Sequence, residues 1–187
     1  DGGIALGQAW VARAQKPVVA VANSLAASAA YWIGCAASEF YVTPGGEVGS
    51  IGVWQAHFDY SKALEEEGVK TTLVSAGKFK VEGNPYVPLD PEAQAFMQSR
   101  VDDYYNAFIQ AVAVGRRVTV DDVRNGMGEG RVLGADAALA QRMVDGIACF
   151  DDVLARMQAK VTGNAVRSQP QKSHSRLKQA RDALALV

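Results

Sequence analysis

Short apolar runs alternate with helical stretches through the first half of the sequence, and this alternation is the strongest constraint on the fold. The predicted strands are VVAVAN (18–23), EFYVT (39–43), SIGVW (50–54) and VKTTLVSA (69–76). The predicted helices are IALGQAWVARAQ (4–15), LAASAAYWIGCAAS (25–38) and DYSKALEEEG (59–68). Valine-rich runs without polar alternation are typical of strands that are buried on both faces, as in a parallel sheet.

The pattern becomes helical from Asp90 onward. The Asp-Pro pair at 90–91 is a helix cap followed by proline at the first helical position, and it opens a long helix predicted over residues 90–117. Short helices then surround one small strand at 131–133. The sequence therefore predicts an α/β domain with a mostly parallel sheet flanked by helices and a helical C-terminal part.

The length and composition indicate one domain and a tail. A chain of 187 residues with 49% hydrophobic and 21% charged residues is long enough for a sizeable core. We expect this domain to span residues 1–162. Residues 163–187 are polar and carry five basic residues against one acidic residue, which indicates a linker or the start of a helix that needs a partner.

Charge, hydropathy and cysteine content exclude several classes of protein. A net charge of −1 gives no reason to expect nucleic acid or an anionic membrane as a partner, and no run approaches the roughly 18 apolar residues of a membrane span. Cys35 and Cys149 lie in apolar surroundings, so we expect buried thiols in a reducing compartment rather than a disulfide. The start, DGGIALGQAW, has neither an initiator methionine nor a signal sequence, and we expect a fragment or processed form of a longer protein.

Ser28 is the one hydroxyl in the stretch AASAAYWIG (26–34), which is otherwise small, apolar or aromatic. We expect it where VVAVAN ends and an alanine-rich helix begins, beside the free N–H groups of a helix start. Such a position suits a nucleophile, because the same N–H groups can stabilise an oxyanion. A small serine that hydrogen-bonds the backbone is the simpler explanation of the local sequence.

A nucleophilic serine needs a base, and the sequence offers two kinds. One is histidine: His57 is predicted near the end of a strand, whereas His174 lies in the polar tail. The other is a lysine whose burial removes its charge, and the loop SAGKFKVEGNPY (75–86) supplies Lys78 and Lys80. The residues alone leave a serine–histidine and a serine–lysine arrangement open.

Three motifs in one order make the sequence more specific. AASAAYWI (26–33), GSIGV (49–53) and SAGKFKVEGNPYVPL (75–89) resemble the signal peptide peptidase A family and, more closely, its tailed-phage relatives, the prohead proteases. The resemblance covers roughly residues 1–155. It implies a ClpP/crotonase-like fold and a serine endopeptidase with a Ser–Lys dyad, without metal or cofactor.

The resemblance also assigns roles by position. It implies that Ser28 is the nucleophile, that Lys80 is the general base, and that Ser50 hydrogen-bonds the lysine amine and keeps it aimed at the nucleophile. An unpaired buried amine would otherwise move among rotamers. The motif does not require Lys78.

The oxyanion hole follows from the same resemblance. The first residues, DGG, look like the end of the family's D-S-P-G-G turn, so the N–H of Gly2 or Gly3 would act with the N–H of Ala29. The Ser-Pro pair of that turn is absent, and so are the strands that normally precede it. The sequence has SAA where the cellular enzymes usually have SGG, and NPY after the lysine also favours the phage branch.

The expected partners are polypeptides. A protease with an extended cleft binds its substrate as an added strand, and the small residues at 26, 27, 29 and 30 predict a shallow pocket for small or modest apolar side chains. The resemblance implies a homo-oligomeric ring, with the long helix contributing to core and interface. The tail would then begin a scaffold-like helix.

Two functions other than phage head processing stay open. One is the degradation of signal peptides by a cellular enzyme, which would be membrane-associated if an N-terminal anchor had been removed; a phage enzyme would act in the procapsid, in the bacterial cytoplasm. The other is an assembly module of the same fold that has lost activity. The complete set of Ser28, Ser50 and Lys80 argues against this second alternative.

Overall fold

The computed structural model describes residues 14–163 of the chain. The strands are β1 (Val19–Ala22), β2 (Leu25–Ala27), β3 (Glu39–Val42), β4 (Glu47–Gly49), β5 (Val132–Gly134) and β6 (Gly146–Ile147). The helices are α1 (Ala29–Gly34), α2 (Ser61–Glu66), α3 (Pro91–Arg116), α4 (Val120–Arg124), α5 (Ala135–Ala140) and α6 (Phe150–Thr162). The first part mixes strands with helices and the second is mainly helical, so the predicted α/β class is confirmed.

The described strands form two small sheets. The first has the order β1-β3-β6 and is parallel throughout. The second has the order β2-β4-β5, in which β2 and β4 are parallel and β4 and β5 are antiparallel. Parallel pairing therefore predominates, as predicted. The register of the second sheet places Ala27 opposite Gly49, and this pairing positions the candidate site.

The hydrophobic core packs the strands against helices α1, α3 and α5. Ring contacts fix α1 in this core: Trp32 stacks on Phe108 with centroids 4.4 Å apart, and Tyr31 lies 5.7 Å from Phe40. The Tyr31 hydroxyl donates a hydrogen bond of 3.0 Å to the Met143 carbonyl. The fully buried larger side chains are Tyr31, Phe40, Phe108, Ile109, Met127, Met143, Val42, Val48, Val112 and Cys35.

Helix α3 begins as its sequence predicts. The Asp90 carboxylate accepts a hydrogen bond of 2.9 Å from the Ala93 N–H, and Pro91 occupies the first helical position. The helix ends against the turn that follows α1. There Gly115 lies so close to Cys35 that an added Cβ would be 2.1 Å from the Cys35 carbonyl oxygen. A residue without a side chain is therefore needed at 115.

An ion pair ties the end of α3 to the first sheet. The Arg116 guanidinium donates to both carboxylate oxygens of Asp145, at 2.9 and 2.8 Å, and to the Arg142 carbonyl at 2.9 Å. Asp145 also accepts the Phe40 N–H of β3 at 2.7 Å. Burial raises the pKa of the Asp145 carboxyl, but the hydrogen bonds from Arg116 and Phe40 outweigh it, so the pKa lies below its ordinary value.

Two predicted strands are wrong. Residues 51–60 and 69–75 are not strands in the described part of the chain, although their composition favours extended structure. Trp54 is 83% exposed and Val74 is 93% exposed. A strand needs a hydrogen-bonded neighbour as well as suitable residues, and neither segment pairs with a described strand.

Other differences are smaller. The predicted helix over 25–38 is instead β2 followed by α1, and the glycine-rich connection around residue 47 contains β4. The strand β6 was not predicted. Cys35 and Cys149 are both free, and Cys35 is buried as expected, but Cys149 is exposed because it lies in the connection between β6 and α6. The predicted helix over 4–15 falls almost entirely outside the described residues.

The chain divides into two compact units between Phe150 and Asp151. The first unit contains both sheets and helices α1 to α5. In the second, the described element is α6, which has Asp151 and Asp152 in its first turn and Lys160 in its last, a charge distribution that suits the helix dipole. None of the helices in residues 14–163 is long and apolar enough to span a membrane.

Candidate active site

Ser28 lies between β2 and α1, at a sharp strand-to-helix junction. Its backbone angles are φ 52° and ψ −120°, a region that residues with a Cβ rarely adopt. Two backbone hydrogen bonds hold it there: its N–H donates to the Gly49 carbonyl at 2.8 Å, and its carbonyl accepts the Trp32 N–H at 2.9 Å. The side chain is exposed. This arrangement presents a hydroxyl at the tip of a turn, as nucleophile turns do.

The sequence placed Ser28 where VVAVAN ends and a helix begins; the helix start is confirmed, but the strand that leads into it is not VVAVAN. That run forms β1, which ends at Ala22, and the separate strand β2 then leads into Ser28. The three residues of β2 pair in parallel with β4, and this local pairing gives the serine its position. Ser28 therefore belongs to the second sheet rather than the first.

Ser50 stands beside Ser28. Because Ala27 pairs with Gly49 in the parallel register, the two serines follow at the carboxyl ends of neighbouring strands. Neighbouring strands lie about 4.8 Å apart. Ser50 is half-buried, has φ 55°, and donates its N–H to the Arg131 carbonyl at 2.8 Å. The structure thus brings two of the predicted site residues together.

Gly49 explains part of the GSIGV motif. It has φ 131°, and an added Cβ would lie 2.6 Å from the Arg131 carbonyl oxygen. Both the backbone angle and the close approach of the neighbouring chain require glycine. The carbonyl of this same residue accepts the Ser28 N–H, so the glycine contributes directly to the nucleophile turn.

The predicted oxyanion hole is described in part. Ala29 is the first residue of α1, and the N–H groups of a first helical turn are not used by the helix's own hydrogen bonds. Gly2 and Gly3 lie outside the described residues.

Lys80 lies in a loop of consecutive turns and is exposed. Its N–H donates to the Gly77 carbonyl at 3.2 Å. Within residues 14–163 its amine makes no hydrogen bond, and none joins it to the Ser28 hydroxyl. Its role as the base stays a prediction.

Lys78 has partners of its own. Its amine lies 3.1 Å from a carboxylate oxygen of Glu92 and 4.3 Å from the centre of the Phe79 ring. The side chain of Lys78 is therefore committed to the start of α3 and to its neighbouring ring. Of the two lysines, Lys80 is the one whose amine is left for another role among the described residues.

His57 connects two loops. Its Nε2 atom lies 2.9 Å from the Asn84 carbonyl oxygen, and nearby the Tyr60 N–H donates to the Pro85 carbonyl at 2.8 Å. No hydrogen bond joins His57 to Ser28 in the described part of the chain. His174 falls outside it. The strand that was predicted to end near His57 is absent, as reported above.

A groove of about 450 Å³ opens next to Ser50. Sequence reasoning missed the residues of α3, and of the loop between α4 and β5, that line it. Gln98, Val101, Asp102 and Tyr105 recur at helical spacing, which is a signal for one shared face, but the sequence does not indicate what that face meets. The full lining is Ser50, Ile51, Gly52, Val53, Trp54, Gln98, Val101, Asp102, Tyr105, Glu129 and Gly130.

Two titratable groups behind the site are unsuited to chemistry at neutral pH. Burial raises the pKa of the Cys35 thiol to about 12. Burial, together with the nearby Cys35, raises the pKa of the Tyr31 hydroxyl far above its ordinary value. Both groups stay protonated and serve packing and hydrogen bonding. Among the described residues, no group of three or more His, Cys, Asp or Glu is placed to hold a metal ion.

Comparison with protein families gives one match that covers most of the chain. The model of peptidase family S49 matches residues 11–163. This range includes Ser28, Ser50 and Lys80.

Several curated proteins are similar in sequence. The capsid assembly protease C of Escherichia phage lambda is 35% identical over 83% of this chain and 37% of its own length. The head–tail preconnector protein of Enterobacteria phage P21 is 33% identical over 82% of this chain and 31% of its own length. A putative signal peptide peptidase of Enterococcus faecium is 28% identical over 81% of this chain and 44% of its own length. The chain thus spans about a third of the two phage proteins.

Among solved structures, a mutant of a membrane-bound stomatin-specific protease superposes with a TM-score of 0.49 at 13% identity. The superposition covers 83% of this chain and 62% of the other.

Proposed function

Because the chain belongs to peptidase family S49, we propose that it is the catalytic part of a serine endopeptidase that uses Ser28 as nucleophile and Lys80 as base. The observation that carries this proposal is the backbone of Ser28. A strained residue at an exposed strand-to-helix turn, with a second serine beside it, has no structural purpose that a glycine would not serve better.

The chemistry follows from the groups present. The Lys80 amine, when neutral, takes the Ser28 hydroxyl proton while the serine oxygen attacks the peptide carbonyl. The Ala29 N–H, with that of Gly2 or Gly3, stabilises the resulting oxyanion. The Ser50 hydroxyl accepts a hydrogen bond from the amine and keeps it aimed at Ser28. Lys80 then gives this proton to the leaving amine as the C–N bond breaks, which leaves an ester between Ser28 and the substrate. The neutral Lys80 amine next takes a proton from a water molecule that attacks the ester, and it returns the proton to the Ser28 oxygen as the acid product leaves.

The Lys80 loop has to approach Ser28 for this reaction. Lys80 is exposed, and its loop is built from turns with hydrogen bonds between nearby residues, so its position is easily adjusted by a bound substrate or a second subunit. Catalytic hydrogen bonds are often long or absent in free enzymes and form with the substrate.

We propose phage or prophage head and scaffold proteins as substrates, because two similar proteins carry capsid-assembly and head–tail names. The similar signal peptide peptidase supports the alternative, a cellular enzyme that degrades signal peptides. Substrate would enter as an added strand, with Ala26, Ala27, Ala29 and Ala30 shaping a shallow pocket for small side chains. A ring of identical subunits in the bacterial cytoplasm completes the proposal.

The test compares three variants in casein hydrolysis or self-cleavage. Ser28→Ala and Lys80→Ala are each expected to lower turnover by at least about a thousandfold, since the nucleophile and its base act as one unit. His57→Ala is expected to retain turnover, because His57 contacts the Asn84 carbonyl rather than Ser28.

Two outcomes would contradict the proposal. Loss of turnover in His57→Ala together with full turnover in Lys80→Ala would indicate a serine–histidine mechanism. Unchanged turnover in Ser28→Ala would exclude Ser28 as the nucleophile, whereas a wild-type chain without turnover would leave an assembly module as the remaining function.

A further inference from the structure

We propose that Lys78 is a positioning residue whose ion pair with Glu92 holds the loop that carries Lys80 against the start of α3. This inference rests on the proposed function, because it assigns Lys80 as the base. The Lys78 amine lies 3.1 Å from the Glu92 carboxylate and 4.3 Å from the centre of the Phe79 ring. Lys78 thus contacts a helix on one side and its own loop on the other.

Glu92 belongs to a helix that is fixed in the core of the first unit. It lies in the first turn of α3, next to Pro91 and within the turn that the Asp90 carboxylate caps. The same helix is buried further along at Phe108 and Ile109 and held at its end by Arg116. A side chain attached to Glu92 is therefore attached to the core of the first unit.

The other hydrogen bonds in the part of the loop around Lys80 are local. Lys80, Glu82 and Asn84 donate their N–H groups to carbonyls three residues earlier, at 3.2, 3.2 and 3.3 Å. These bonds shape the turns but attach them to no other element. At the far end, His57 and Tyr60 bind the carbonyls of residues 84 and 85. The Lys78–Glu92 ion pair supplies the corresponding attachment ahead of Lys80.

The size of the effect follows from exposure. The Lys78 and Glu92 side chains are 71% and 64% exposed, and exposed ion pairs are weak. Such a pair changes the equilibrium constant between the held and the released position of the loop by about two- to fivefold. Both positions stay populated with and without the pair. Since Lys78 sets the position of Lys80 rather than binding substrate, the loss is expected in kcat and not in KM.

The experiment measures casein hydrolysis by the 187-residue chain. Lys78→Gln and Glu92→Gln are each expected to lower kcat about two- to fivefold with KM unchanged. Lys78→Arg is expected to have the kcat of the wild type. Salt at about 1 M should lower wild-type kcat toward that of Lys78→Gln, because it screens the ion pair. The matched control is Lys62→Gln. Lys62 forms another exposed ion pair, with its amine 3.9 Å from the Glu66 carboxylate in α2. The kcat of Lys62→Gln should equal that of the wild type.

A second measurement does not depend on activity. Amide hydrogen exchange at Lys80 and Glu82 is expected to be about two- to fivefold faster in Lys78→Gln than in wild type, and unchanged in Lys62→Gln. Unchanged exchange, or unchanged kcat in Lys78→Gln, would overturn the role of Lys78. Retained turnover in Lys80→Ala would instead overturn the proposed function, and the exchange rates would still decide whether Lys78 holds the loop.

Discussion

Ser28 and Ser50 both have left-handed backbone angles, with φ 52° and 55°, at the ends of paired parallel strands. Such conformations cost a residue with a Cβ about 1–3 kcal/mol each. The structure holds Ser28 through backbone hydrogen bonds to Gly49 and from Trp32. A serine rather than a glycine at this turn therefore lowers the stability of the fold, which is common where a side chain is kept for its chemistry.

The strain at Ser28 predicts an unusual order of stabilities. Ser28→Gly is expected to have a higher free energy of unfolding than Ser28→Ala, by about 1 kcal/mol, because glycine adopts positive φ without steric cost. Both variants lack the hydroxyl, so the comparison isolates the backbone. Urea denaturation followed by circular dichroism measures the difference.

The control for this prediction is Ser99, an exposed serine within helix α3. There the order should reverse, with Ser99→Gly less stable than Ser99→Ala by about 1 kcal/mol, because glycine is a poor helix former. If the glycine variant were less stable than the alanine variant at position 28 as well as at position 99, the backbone of residue 28 would be unstrained.

The sequence could point to Ser28 and Ser50 because their motifs are short and local. It could not show that they stand side by side, since this follows from pairing between β2 and β4. The residues alone, without the family resemblance, also could not distinguish Lys78 from Lys80, because the partner of Lys78 lies 14 residues away in α3. Whether His57 acts as the base could not be decided from the sequence for the same reason, because its partner Asn84 is 27 residues distant.

At the scale of elements, the success of sequence reasoning depends on how local each element's hydrogen bonds are. Helix α3 makes its own hydrogen bonds and carries its own cap, so both of its ends could be predicted from residues 90–117. Strands β4 and β6 have only three and two residues, and they form because they hydrogen-bond to strands that are distant in the sequence. Residues 51–60 and 69–75 show the converse: their composition favours strands, but no described strand pairs with them.

Packing between elements predicts a large effect at Gly115. By helix propensity alone, Gly115→Ala would stabilise α3 by about 1 kcal/mol. The structure predicts the opposite sign, with a free energy of unfolding that is about 3 kcal/mol lower than in wild type. The new Cβ would lie 2.1 Å from the Cys35 carbonyl oxygen and would force α3 away from α1. The free energy of unfolding in urea distinguishes the two.

Gly134→Ala is the control for this contact. Gly134 precedes α5, and an added Cβ there would meet no atom within 4 Å. Its free energy of unfolding should stay within about 1 kcal/mol of wild type. A stabilised Gly115→Ala variant would mean that α3 and the turn after α1 do not approach each other as described.

At the scale of the whole molecule, the described first unit carries apolar surface that it does not cover itself. Residues 51–87 include the two segments without strand pairing and the Lys80 loop, and they contain nine large exposed apolar side chains. They are Trp54, Phe58, Tyr60, Val69, Leu73, Val74, Phe79, Tyr86 and Val87. Scattered exposed apolar residues are ordinary, but this many in one stretch of chain is typical of a protein interface.

This surface predicts where the proposed ring is held together. We expect light scattering at tens of micromolar to give a multiple of the 19.9 kDa chain mass, and Val74→Asp to shift the population toward monomer. Val74 is 93% exposed in the single chain, so an aspartate there leaves the subunit's own core intact. In an interface the same carboxylate would be desolvated without a partner, which costs several kcal/mol.

The matched control is Val161→Asp, which places the same charge on an 86% exposed valine of α6, outside this segment. The mass of the Val161→Asp variant by light scattering should equal that of the wild type. A wild-type monomer at these concentrations would contradict assembly altogether, whereas equal dissociation of both variants would place the interface elsewhere. Because the segment includes the Lys80 loop, assembly through it would also bear on the site: Val74→Asp should lose turnover in parallel with its loss of mass, while Val161→Asp should lose neither.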